Sequence, residues 1–158
     1  MDSSASLRKE LDQLLAKGNA HTGFDEAIAE FPAPLRGVRP PGVPHSAWEL
    51  LEHLRMAQSD MLEFSRDPAH QSPEWPAGYW PKTAAPPDEA AWNKSVKAFH
   101  HDLAAMRKLV SDPQSDLFTP FPHGDGQTLL REALQVADHN AWHIGELVFL
   151  RRLLGAWK

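Results

Sequence analysis

Three histidines of this 158-residue chain stand where metal chemistry could take place. His139 and His143 are four residues apart, a spacing that on a helix puts both rings on one face, one turn from each other. Their row runs from Val136 to Leu147, so the two imidazoles interrupt an apolar stripe. His53 interrupts a second stripe, three residues after Leu50 and four before Ala57. Three imidazoles aimed into one core need partners, because buried polar groups left unpaired are costly. One divalent ion would satisfy all three and leave a coordination position open, as catalytic sites do. Three nitrogen donors with no evident carboxylate suit a transition metal (zinc or nickel foremost, then cobalt or iron) over magnesium or calcium. The competing reading is a pair of surface histidines on a helix, with no metal.

The spacing excludes two familiar alternatives. A zincin helix requires Glu directly after its first histidine, and here Asn140 stands there, unable to take a proton. A di-iron bundle needs Glu-x-x-His pairs, and Leu50, Val136 and Asn140 occupy those places. Two carboxylates share roughly the face of a histidine: Asp60, seven after His53, and Glu146, three after His143. Either could accept a ring N–H or act on a metal-bound water, or simply be a surface acid at the bundle edge. Asp138 and Asn140 flank His139 and should point sideways toward an adjacent helix. Gly145 weakens its helix by about 1 kcal/mol relative to alanine, which suggests close helix approach beside the site, or a kink. His100 and His101 read as solvated, and His21, His45, His70 and His123 as helix-start or loop residues explained by capping or exposure. His123 lies too far along from His139 to share its metal unless its loop folds back.

The elements that must carry these residues are drawn by proline, which breaks helices. All fourteen prolines fall within 32–44, 68–87 and 113–122, leaving four segments with a helical apolar period. The first carries Leu7, Leu11, Leu14 and Leu15, breaks at Lys17-Gly18-Asn19, and resumes with Phe24, Ala27, Ile28 and Phe31 behind a Thr22–Asp25 cap. The second opens with a Ser46–Glu49 capping-box spacing before Leu50, Leu54, Ala57, Met61 and Phe64. The third runs Trp92, Val96, Phe99, Leu103, Met106 and Val110. The fourth starts near Thr128 and follows Leu129, Ala133, Val136, Leu147, Leu150 and Leu154. Four such stripes must bury against one another, which predicts an all-α four-helix bundle in a single domain over 1–158. The connections are long enough for crossovers, so simple up-down-up-down order is not assumed. The middle one packs Trp75, Tyr79 and Trp80 between prolines. It reads as a stiff strap stapled over the bundle end; the alternative is the wall or lid of a pocket, with Tyr79 as a hydrogen-bonding group. Trp142, beside His143, is a second candidate pocket residue.

Composition bounds the partners. No cysteine is present, which excludes disulfides, Cys-type zinc fingers, iron–sulfur clusters and a protein thiol nucleophile. Sixteen basic against twenty-one acidic residues, net −5, offer no surface for nucleic acid or an anionic membrane. The polar start, Met1 to Glu10, has no leader character, and no apolar run nears the roughly twenty residues of a membrane span. A cytoplasmic protein is expected.

The segment Asp138 to Glu146, together with Trp48 to Leu54, resembles the DinB-like family of four-helix bundles. The likeness extends to Pro44-His45-Ser46-Ala47-Trp48, to the Trp75–Pro81 loop and to Pro122-His123-Gly124-Asp125-Gly126-Gln127-Thr128, and so covers nearly the whole chain. The family's metal triad maps without departure onto His53, His139 and His143. The resemblance implies a metal-dependent hydrolase or a transferase acting on a low-molecular-weight thiol as co-substrate. A small-molecule substrate and a homodimer are implied with it. The alternatives are a non-catalytic metal-binding stress-response bundle with a structural metal, and an interaction bundle with no metal.

Overall fold

In the computed structural model, residues 3–17 and 20–157 are described. They form five helices: α1 (Ser3–Lys17), α2 (Phe24–Ile28), α3 (Ala47–Arg66), α4 (Glu89–Ser111) and α5 (Leu129–Leu153), with 3-10 turns at Ala33–Leu35 and Ala77–Tyr79. No strand occurs among the described residues. The four long helices coincide with the proline-free segments, and α2 is a single extra turn set by Phe24 and Ala27 facing inward.

Local chemistry fixes where the long helices begin. Ser46 accepts from the Glu49 amide while the Glu49 carboxylate accepts from the Ser46 amide at 2.8 Å, so the capping box forms. Arg39 pairs with Glu49, and the Ser46 hydroxyl donates to the Ala84 carbonyl, tying two loops to this helix start. Asp88 caps α4 and Thr128 caps α5, each through its side chain. The expected Thr22 cap does not form: Gly23 is the N-cap of α2, with no side-chain bond. The expected break at Gly18-Asn19 lies outside the described residues.

Helix order follows from which helices touch. α3 packs between α4 and α5, and α1 closes the opposite side between the same two. Arg107 of α4 binds Asp12 of α1 while Arg8 reaches the Val110 carbonyl, so α1 and α4 run antiparallel. Trp48 meets Trp92, Glu52 meets Ser95 and Gln58 meets the Phe99 carbonyl, so α3 and α4 run parallel. A parallel pair cannot be joined by a tight turn. Residues 67–88 must return along the whole of α3, about 30 Å at 1.5 Å per residue. That return path carries Tyr79 and Trp80 past the middle of α3.

The buried stripes form two apolar clusters. One gathers Phe24, Phe31, Trp48, Leu51, Phe99, Ile144 and Leu147; the other gathers Leu11, Leu15, Met61, Leu62, Met106, Val110 and Val136. Each fully buried large side chain contributes about 1.5–3 kcal/mol. Between the clusters, α3 and α5 face each other with polar groups: His53 and Gln58 on one, His139, Asn140 and His143 on the other.

Candidate metal centre

His53 is buried to 3 % exposure on the inner face of α3, and its Nδ1 donates to the Tyr79 carbonyl at 2.9 Å. Because a carbonyl only accepts, that bond puts the proton on Nδ1 and leaves Nε2 with a free lone pair. The Nε2 of His139 lies 3.1 Å from it. His143 donates from Nδ1 to Glu146 Oε2 at 2.6 Å, which likewise frees its Nε2. Carbonyl and carboxylate anchors on the outer nitrogen are what orient a histidine toward a metal. One ligand atom from each ring lies within 4.8 Å of the others, a group able to hold an ion. A tetrahedral ion with bonds of about 2.0–2.1 Å spaces its ligands about 3.3 Å apart, close to the His53–His139 separation.

Electrostatics favour the neutral rings that metals bind. Burial and the neighbouring His143 and His53 lower the His139 pKa to about 4. Burial and nearby His53 and His45 lower that of His143 to about 4 as well. Burial also lowers His53, against the pull of the Tyr79 carbonyl. Glu146 is raised by burial, with His45 and His53 opposing.

The return segment covers His53. Trp80 stacks flat on His53, with centroids 4.0 Å apart and planes 1° from parallel, and His45 stacks on the other side of Trp80 at 3.9 Å. The Trp75–Pro81 loop thus packs along α3 and over His53, and none of its residues lines the cavity next to the cluster. Tyr79 is not a pocket residue. Its ring is buried and its hydroxyl donates to Asp60 at 2.7 Å, which raises its pKa to about 12 through burial and then Asp60. Asp60 does not touch His53. It accepts from Tyr79 and His70, so it braces the residue whose carbonyl holds His53. Seven residues share a face but span two turns, about 10 Å, too far for one carboxylate.

A cavity of about 560 Å³ adjoins the cluster, lined among others by His45, Leu50, Trp142, Gly145, Glu146 and Phe149. Trp142 is among the residues that line it. His45 is another, although its place at a helix start had suggested only capping or exposure. The Pro44-His45 helix entry was visible in the sequence, but nothing local indicated stacking on Trp80. Gly145 makes no close helix contact: a Cβ there would meet nothing within 4 Å. Asn140 does reach sideways, to Gln58 of α3 at 2.8 Å, whereas Asp138 is exposed. His123 donates to the Phe64 carbonyl and is outside the cluster; His101 is exposed and His100 pairs with Asp25.

Five helices among the described residues, with this inward-facing histidine layout, define the class. The model of the DinB superfamily matches residues 6–147, and the chain belongs to that superfamily. No curated protein and no solved structure matched it. Among the described residues, no helix is long and apolar enough to cross a membrane.

Proposed function

We propose that the chain is a metal-dependent enzyme in which His53, His139 and His143 hold one divalent transition-metal ion, zinc or nickel, and act on a small molecule. The observation that carries this reading is the convergence of three imidazoles, two of them anchored through their outer nitrogens, beside a cavity. A bound ion would supply a Lewis acid, lowering the pKa of water for hydrolysis or of a low-molecular-weight thiol for S-transfer. The chain's own residues do the rest. The Tyr79 carbonyl fixes the tautomer of His53, and Trp80 covers the face of that ring. Glu146 orients His143 and also borders the cavity, where its burial-raised pKa suits it to accept a proton. Neither asset requires a particular substrate.

The deciding experiment is metal analysis of protein purified without a histidine tag, paired with a screen of esters, amides and electrophiles plus thiols. About one zinc or nickel per chain, lost in His139→Ala, and turnover in one branch of the screen are expected. A chain that takes up no transition metal overturns the reading. A second reading, a structural metal in a non-catalytic bundle, is favoured by one observation: the cluster bridges α3 and α5. It predicts a melting midpoint that falls with chelator while no substrate turns over.

A further inference from the structure

We propose that the cavity beside the cluster seats an uncharged, apolar, aromatic group of the substrate, about two to three rings in size, and that Gly145 sets its size limit. This rests on reading the cluster as a reaction centre. The volume of about 560 Å³ falls in the range of small-molecule sites, about 300–1,000 Å³. Its ionisable lining residues are His45 and Glu146; Val43, Pro44, Leu50, Trp142, Phe149 and Leu150 are apolar. Among the described residues no lysine or arginine lines it, so a phosphate or carboxylate finds no permanently charged side chain to pair with there. An anionic thiol co-substrate is therefore mismatched to this cavity, and an apolar electrophile or ester group is matched.

Gly145 gives the cavity its shape. Glycine inside a helix is less favourable than alanine, yet no positive φ and no close neighbour requires it here. Trp142 stands three residues before it and Phe149 four after, on the same face, both more than half exposed. The three make an aromatic–gap–aromatic strip, with the two rings about 10 Å apart along the axis. An aromatic group lies in that gap with its polar end at Glu146, the residue that also holds His143.

The test is fluorescence titration of the full chain with neutral N-phenyl-1-naphthylamine, with 8-anilinonaphthalene-1-sulfonate as the anionic comparison. Saturable binding of the neutral probe and weaker binding of the anion are expected. Gly145→Leu should weaken the neutral probe at least about fivefold, since a leucine side chain would overfill the gap. Helix content and metal content should persist, because leucine is a better helix former than glycine. Unchanged probe affinity in Gly145→Leu overturns the proposal, as does anion binding equal to the neutral probe's. So does sedimentation showing a dimer that takes up probe only on dissociating, which would make the strip a contact between copies. Probe failure in a chain with full metal content sinks this assignment alone. Saturable probe binding to a chain that takes up no metal sinks the metal reading, and with it the assignment of the bound group to a substrate, while the apolar pocket itself stands.

Discussion

Gln58 and His53 stand little more than one turn apart on α3, and their partners Asn140 and His139 are neighbours on α5. The two polar clusters tie the same helices together and are built on opposite logic. Gln58 passes its hydrogen bonds along in one direction, accepting from Asn140 at 2.8 Å and donating to the Phe99 carbonyl at 2.8 Å. Every donor there meets an acceptor, and only the Asn140 carbonyl oxygen is left over. In the histidine cluster His53 and His143 donate outward, to Tyr79 and Glu146, which leaves their other ring nitrogens as acceptors. His139, whose Nδ1 has no partner, meets the free nitrogen of His53. A layer that serves stability closes on itself; one that serves a ligand keeps acceptors facing a common point.

Substitutions should separate the two. The largest effect is expected for His53→Ala and His143→Ala. Each should lower metal affinity by more than about a hundredfold, beyond the 10–100-fold typical of losing only a supporting partner, as read by competition with a calibrated chelator. Glu146→Ala, which removes such a partner, should fall within that 10–100-fold range. Gln58→Ala should do the reverse, keeping metal content while lowering unfolding free energy by about 2–3 kcal/mol in urea titration, from the void and the stranded Asn140 and Phe99 groups. A Gln58→Ala protein that lost its metal would erase the distinction.

Acid should sharpen the same contrast. With folded pKa values near 4 for His139 and His143 against an ordinary 6.5, unfolding takes up protons between those limits. Stability of the chelator-treated chain is therefore full above about 6.5 and declines as pH falls toward about 4. The Gln58–Asn140 pair has no charge to gain. Replacing His139 and His143 with alanine should flatten the melting midpoint's pH slope in that window. The smallest effect is expected for Tyr79→Phe, which strips the Asp60 contact but keeps the carbonyl: about 1 kcal/mol or less, with metal content unchanged.

Periodicity along a helix is a local property, and what depended on it was readable. Proline placement marked the four long helices, and Ser46–Glu49 marked the start of α3. Stripe position brought His53, His139 and His143 together across 86 residues of chain. Contacts made by the return segment were not readable, because their register is set by the parallel pairing of α3 and α4. Trp80, His45 and the Tyr79 carbonyl belong to that class. Asp60 shows the limit from another side: sequence spacing specifies a face, while reach depends on rise along the axis. Gly145 has a cause that no helix pattern expresses, since what it faces is empty space.

The tether on His53 is a main-chain oxygen, and main-chain oxygens are supplied by every amino acid. Codon changes at position 79 can alter what braces the loop without deleting the atom that orients the ring. His143 has no such insurance, because its anchor is the side chain of Glu146. For His53 the vulnerable quantity is chain length: adding or removing a residue within 67–88 would slide a different peptide unit, and a different ring, over the imidazole. Indels in that segment should therefore harm the site more than point changes at Tyr79.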